Sequence, residues 1–143
     1  KGRDDNRPGV KSAVLPAGGE IAAARGRARF YAMMAGGGTL DGVTTLTSET
    51  VTAVTSQQSE GLDHTLDRHV KRSMGLSLGD PRSAAPGNED IHTFGHAGSG
   101  TSVGWAHCSS GLAFAYLTNG FRAESSNTPR LAAISQAVVD AAL

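Results

Sequence analysis

A glycine- and serine-rich segment late in the chain holds residues whose types and spacing could do chemistry. Residues 94–105 read FGHAGSGTSVGW, with His96 followed two positions later by Gly98. Because Gly98 has no side chain, an acyl group could lie against the strand backbone there. A backbone N–H beside that space can stabilise negative charge developing on a carbonyl oxygen. His96 is therefore either an active-site residue or a structural histidine beside glycines.

Two G-x-S-x-G matches offer alternative nucleophiles. They occur at residues 75–79 and 100–104, with Ser77 and Ser102 at their centres. The nucleophile elbow with this pattern needs a strand, a sharp turn at the serine and then a helix. Ser77 lies inside a strand-like run, and Ser102 leads into another. Neither match has the context of an elbow, and an independent esterase using one of them is the weakest hypothesis.

The histidines do not predict a metal site. His92 and His96 are four residues apart, but on a strand that spacing separates them by about 13 Å, since each residue rises ~3.3 Å. Ligands of one ion must lie closer together. His64 and His69 fall in a polar stretch and are expected to be solvated surface side chains. We therefore expect no metal and no cofactor.

The composition argues against several classes of partner. The 143-residue chain has 13 Lys and Arg against 13 Asp and Glu, so no overall field would attract nucleic acid or an anionic membrane. Arg25, Arg27 and Arg29 would spread over different helix faces without an aromatic stripe. No apolar run approaches the roughly 20 residues of a membrane span. The sequence predicts a soluble chain without nucleic acid, and leaves its compartment open.

The elements that would position these residues change from helical to strand-like along the chain. Apolar spacing predicts helices at about residues 20–36, 47–57 and 128–142. Period-two alternation and turn residues predict strands at about residues 73–79, 92–98, 101–107 and 112–119. The order of helices, antiparallel strands and a final helix predicts an α+β fold.

Individual residues define the faces and ends of these elements. The first helix would bury Ile21, Ala24, Ala28, Tyr31, Met34 and Ala35. Thr47 or Ser48 would cap the second helix. Pro129 would open the last helix, whose inner side would carry Leu131, Ile134, Val138 and Ala142. Residues 39–45 would turn around Asp41 and Gly42, and residues 59–72 would form a loop that could include a helical turn.

Several segments carry a family resemblance. Residues 94–105 contain F-G-H-x-G, and residues 111–120 follow as a hairpin partner that ends in an aromatic residue and Asn. Residues 27–42 are similar to an A-R-x-Y-A-x-L-A-x-G-G helix and turn, and residues 46–51 to an L-S-x-E-T-V helix start. Together they resemble the C-terminal part of the β-lactamase-related serine hydrolases, which include class C β-lactamases and penicillin-binding-protein-like esterases. The resemblance implies the C-terminal portion of the β-lactamase/transpeptidase-like fold.

The resemblance also implies roles for individual residues. His96, Ala97 and Gly98 match the family's third catalytic motif, K-T-G or H-x-G, on the strand that lines its active site. By this likeness His96 would face the substrate and tune proton transfer, and the backbone N–H of Ser99 would help form the oxyanion hole. Ala97, Gly98 and Gly100 would border a small ester or amide substrate, attacked through an acyl-enzyme. Histidine in place of lysine leans toward esterases.

The family's other two motifs do not occur in this sequence. Its nucleophile lies in S-x-x-K, and no lysine here follows a serine by three positions: Lys1, Lys11 and Lys71. Neither tyrosine begins a Y-x-N or Y-x-S motif. Thr101 and His107 also stand where the family commonly has Gly and Asp. We therefore expect both missing motifs upstream of this sequence.

These observations predict one part of a larger bacterial domain. Residues 1–15 would be an irregular lead-in, and residues 16–143 the C-terminal part of a serine hydrolase domain. This part alone is expected to be inactive, because loss of the nucleophile removes the covalent step. Its partners would be the missing N-terminal part and, through an apolar sheet face left exposed, other copies of itself. The alternative is a non-catalytic binding or structural module derived from the same fold.

Overall fold

The computed structural model describes residues 7–15, 20–80, 92–98, 102–120 and 122–142. The helices are α1 (Pro8–Lys11), α2 (Ala24–Ala35), α3 (Ser48–Thr55) and α4 (Glu124–Ala142). The strands are β1 (Thr39–Leu40), β2 (Val43–Thr44), β3 (Ser59–Asp63), β4 (Arg68–Arg72), β5 (Ser77–Leu78), β6 (Thr93–Ala97), β7 (Val103–His107) and β8 (Leu112–Tyr116). Helices combined with antiparallel strand pairs confirm the predicted α+β class.

A six-stranded antiparallel sheet forms the middle layer of the molecule. Its strand order is β3-β4-β5-β6-β7-β8, so each strand pairs with its neighbours in sequence. Within it, β6, β7 and β8 correspond to the predicted strands at 92–98, 101–107 and 112–119. The register of β6 and β7 sets His96 opposite Gly104, and Gly95 opposite Trp105. Because successive residues point to opposite faces, His96 and Gly104 share one face of the sheet.

Helices pack on both faces of this sheet. The face that carries His96 packs with α2 and α3 in a buried cluster: Tyr31, Met33, Met34, Val51, Leu78, Phe94 and Ala106. The opposite face packs with α4 in a second cluster: Val103, Trp105, Leu131 and Val139. Within β6, the accessible residues lie at the C-terminal end of the strand, because Thr93, Phe94 and Gly95 are buried.

The bounds of two helices differ from their predicted bounds. α2 begins at Ala24, since Ala23 has the extended backbone of an N-cap residue, and Ile21 is 74% exposed instead of buried. α4 begins at Glu124, so Pro129 lies inside the helix instead of opening it. A proline inside a helix removes one backbone hydrogen bond. Packing of the later turns of α4 on the sheet offsets that loss.

The buried stripe of α4 is only partly the predicted one. Leu131, Ser135 and Val139 are buried at four-residue intervals. The other predicted inner residues are half-buried or exposed: Ile134, Val138 and Ala142. An apolar pattern misses this stripe because its middle member is a serine.

Predictions for residues 59–79 were wrong in two places. Residues 59–72, predicted as a loop, form the hairpin of β3 and β4. The strand predicted at 73–79 is reduced to β5, because Gly75 has φ +81° and turns the chain. The hairpin lacks apolar alternation since charged pairs connect its strands: Glu60 with Lys71, and Asp63 with Arg72.

The shorter elements agree more closely with expectation. The turn at Asp41 and Gly42, both with positive φ, joins β1 to β2. The Thr47 hydroxyl accepts a hydrogen bond from the Thr50 N–H at 3.2 Å and caps α3. The predicted irregular lead-in contains one helical turn, α1, which buries no residue. Among the described residues, none of the helices is both long enough and apolar enough to cross a bilayer.

Candidate functional site

The predicted site lies at the end of β6. His96 and Gly98 are exposed there and Ala97 is half-buried, so an outside molecule can reach the histidine. Ser99 and Gly100 fall outside the described residues, and the oxyanion role of the Ser99 N–H and the substrate contact of Gly100 stay predictions. The structure therefore brings His96, Ala97 and Gly98 together at one accessible strand end.

Gly98 differs from the other glycines around it. Its N–H donates to the Ser102 carbonyl at 2.8 Å, which extends the β6 and β7 pairing by one step. A Cβ at Gly98 would have ordinary contacts, the nearest being Ser102 Cβ at 3.5 Å. At Gly95, in contrast, a Cβ would lie 2.3 Å from the Gly104 carbonyl oxygen. Packing among the described residues requires glycine at 95 but would accept a Cβ at 98.

Tyr31 lies directly behind this strand end. Its side chain is 2% exposed, and its Cε2 would be 2.4 Å from a Cβ at Gly104, the residue opposite His96. The Arg27 side chain and the backbone of His96 lie near its hydroxyl, and both lower the pKa of the phenol. Sequence analysis placed Tyr31 on the buried helix face but missed its contact with Gly104, because only the strand register shows which glycine the ring meets.

Charge near Tyr31 is balanced by an ion pair. Arg27 Nη1 lies 2.6 Å from Glu20 Oε2. Burial raises the pKa of Tyr31 above its ordinary value, and the neighbouring Arg27 opposes that rise. Tyr31 is therefore a neutral phenol at physiological pH, able to accept hydrogen bonds without placing a buried charge behind His96.

The two alternative serines have structural surroundings. Ser77 is buried in β5, where Arg72 donates to its hydroxyl. Ser102 immediately precedes β7, so a strand and not a helix follows it. Neither serine occupies the strand, turn and helix of a nucleophile elbow.

The remaining histidines are dispersed. His64, His69 and His92 are exposed, and surface positions for the first two agree with the sequence analysis. Within the described ranges, no group of three or more His, Cys, Asp or Glu residues is arranged to hold a metal ion.

Sequence comparison identifies related proteins. The profile of the Beta-lactamase family matches residues 1–138. Esterase/beta-lactamase LipL of Mycobacterium tuberculosis (strain ATCC 25618 / H37Rv) is 36% identical over 107 residues, which cover 75% of this chain and 24% of LipL. The chain thus spans about a quarter of that relative's length.

Solved structures show the same architecture. A penicillin-binding protein homologue from Caulobacter crescentus has a TM-score of 0.69 at 28% identity, covering 85% of this chain and 32% of its own. A family VIII carboxylesterase has a TM-score of 0.65 at 25% identity, and the match covers 80% of this chain and 32% of the carboxylesterase. EstA from Arthrobacter nitroguajacolicus Rue61a shares the fold, with a TM-score of 0.68 at 24% identity. The match covers 96% of this chain and 37% of EstA. This chain belongs to the Beta-lactamase family of serine hydrolases.

Proposed function

We propose that this chain supplies the active-site strand with the H-x-G motif in a serine hydrolase that acts on esters or amides through an acyl-enzyme. The observation that supports this most is the exposed His96 beside Gly98, at a strand end where packing among the described residues does not require the glycine. An exposed imidazole can exchange a proton near neutral pH. Because Gly98 has no side chain, an acyl group could approach the backbone there.

The proposed reaction has two stages, acylation of the serine and hydrolysis of the acyl-enzyme. A serine oxygen attacks the substrate carbonyl, and an oxyanion forms that the Ser99 N–H would stabilise. The carbonyl then reforms, and the alcohol or amine leaves with a proton that His96 would help deliver. Water afterwards hydrolyses the acyl-serine bond and regenerates the serine. Ala97, Gly98 and Gly100 would border the acyl group.

The nucleophile would come from outside this sequence. No lysine in the 143 residues follows a serine by three positions, and each related structure is about three times as long as the part matched. In this proposal residues 16–143 are the C-terminal part of the domain, and the chain alone is inactive. Esters are the favoured substrate class, because two relatives are named as esterases or carboxylesterases.

A nitrophenyl-ester assay on the native protein, with its full reading frame established by intact mass, tests the proposal. We expect turnover by the native form, and His96→Ala should lower kcat by about 10²–10⁴-fold, the usual worth of a proton-transfer group. His92→Ala is the matched control, since it removes an exposed histidine four residues earlier on the same strand segment. The His92→Ala variant should keep the wild-type kcat.

The alternative function is a non-catalytic binding or structural module, which a native sequence without an upstream S-x-x-K would favour. It predicts a native chain without turnover and without labelling by a fluorophosphonate probe. If this chain by itself were labelled at Ser77 or Ser102, both the proposal and the alternative would be wrong, and an independent esterase would be correct.

A further inference from the structure

We infer that the cleft between β4 and β5 binds a small carboxylic acid with an apolar body, and that Arg72 holds the carboxylate. The cleft is a cavity of about 470 Å³ whose lining includes Arg68, Arg72 and Asp80. The register sets Arg72 on the face of the sheet opposite His96. The inference concerns residues outside the H-x-G strand and does not depend on the proposed function.

The cleft opens where the sheet ladder is incomplete. β4 pairs with β3 over five residues, whereas β5 pairs with β4 at Lys71 and Arg72. Gly79, just after β5, has φ +58°, and its N–H donates to the Thr93 carbonyl of β6 at 2.9 Å. The chain after β5 therefore follows β6 and separates from the first half of β4, which leaves space between them.

Positive side chains outnumber carboxylates around the cavity. Three Lys and Arg side chains line it, Arg68, Lys71 and Arg72, against the two carboxylates of Glu60 and Asp80. One positive charge is therefore in excess. A ligand with a single negative charge suits this lining, because attraction between opposite charges is stronger in a cleft partly shielded from water.

Arg72 has a donor group that its neighbours among the described residues leave without a close acceptor. Its Nη1 donates to the Ser77 hydroxyl, but its Nη2 lies 3.8 Å from Asp63 Oδ2, too far for a hydrogen bond. Asp63 Oδ1 instead accepts the N–H groups of Thr65 and Leu66 at 2.9 and 3.0 Å, in the turn after β3. The Arg72 side chain is 27% exposed, so an acceptor from solution can reach it.

The surroundings of Arg72 define the chemistry of the ligand. Alternation along β4 directs Arg68, Val70 and Arg72 to one face. Arg68 is already engaged, because its Nη2 donates to Asp80 at 3.0 Å. The Arg72 guanidinium has five N–H donors, so its bond to Ser77 leaves enough donors for both oxygens of a carboxylate. Val70 also lines the cavity and offers an apolar surface for the body of the acid.

Saturation-transfer NMR of the native protein with benzoate tests the site. We expect saturable binding of benzoate, and about tenfold weaker binding of benzyl alcohol, which has the same ring without the charge. Arg72→Gln should weaken benzoate binding about tenfold, as for loss of a hydrogen bond to a charged group. Arg25→Gln is the matched control, because it removes the same charge from an exposed position in α2. The control should retain wild-type affinity.

Asp63→Asn should change the affinity in the opposite direction. Its amide oxygen can still accept the N–H groups of the turn, but it no longer carries the charge that competes for Arg72. Benzoate should therefore bind about two- to threefold tighter, the usual worth of a loose surface ion pair. This variant decides the question if Arg72→Gln does not fold.

Three results would overturn the inference. They are binding of benzoate that does not saturate, equal affinity for benzoate and benzyl alcohol, and a benzoate affinity that neither Arg72→Gln nor Asp63→Asn changes. The third result would mean that benzoate binds elsewhere on the native protein. Tighter binding of inorganic phosphate than of benzoate would show that a carboxylate is the wrong ligand for this cleft.

Discussion

At the scale of single residues, Gly104 has little room for a larger side chain. A Cβ there would lie 2.4 Å from Tyr31 Cε2 and 3.0 Å from Arg27 Nε. Gly104→Ala should therefore displace the Tyr31 ring from its packed position and lower the unfolding free energy by about 1–3 kcal/mol, as overpacking does. Urea denaturation of the variant measures this change.

Gly26→Ala is the matched control for that substitution. Gly26 lies in α2, and a Cβ there would have nothing within 4 Å. The added methyl should stabilise the protein by about 0.5–1 kcal/mol, since alanine is the better helix former. Equal effects at both positions would contradict the packing described for Gly104.

Tyr31 also predicts a pH dependence. Burial raises its pKa above the ordinary 10.0, although Arg27 opposes the shift. Below pH 10 the phenol is neutral in both folded and unfolded states; above it the unfolded chain loses the proton first, so stability falls as pH rises toward the folded pKa. In denaturation measurements, Tyr31→Phe should make this fall in stability between about pH 9 and 11 smaller. Tyr116→Phe should reduce the fall less than Tyr31→Phe does.

The residues of the site were unequally predictable. His96, Ala97 and Gly98 could be proposed as site residues because a short motif on one strand contains all three. Tyr31 could not, because its contact with Gly104 joins positions far apart in sequence and depends on the register. Apolar spacing predicted that its ring would be buried but not that the ring would lie against Gly104.

At the scale of elements, a buried hydrogen bond joins the central sheet to α4. The fully buried Trp105 donates its indole N–H to the Ser135 hydroxyl at 2.9 Å. Ser135→Ala would leave that N–H buried without this acceptor, at a cost of about 1–3 kcal/mol. Ser125→Ala, an exposed change in the same helix, should have little effect. Similar unfolding free energies for the two variants would show that the bond contributes nothing.

The same bond explains where element prediction failed. Period-3.6 spacing finds helices from apolar residues, so a stripe centred on Ser135 is invisible to it. Period-two alternation likewise failed at β3 and β4, whose cross-strand pairs are charged and lie toward one end of the sheet. The strands nearest the site, β6 to β8, were predicted well because each has small or apolar residues bounded by clear turns.

At the scale of the whole molecule, β8 is an edge strand of the sheet in the part of the chain that the structure describes. Among the described strands, β8 pairs with β7 alone. Hydrogen-bonded pairs alternate in antiparallel ladders, and the Gly98 to Ser102 bond fixes which residues of β7 face β6. By that alternation Ala113 and Ala115 of β8 direct their N–H and C=O groups outward. Exposed edges of this kind promote pairing with further strands.

Self-association should therefore use this edge, in addition to any apolar surface. We expect the isolated chain to sediment faster as its concentration rises. Ala115→Pro removes one outward N–H and should weaken association about tenfold, because proline cannot donate to an added strand. Ala115→Val is the control, since it retains that N–H and suits a strand. Circular dichroism must show both variants folded; a wild type that stays monomeric, or equal association by the two variants, would mean that β8 does not mediate it.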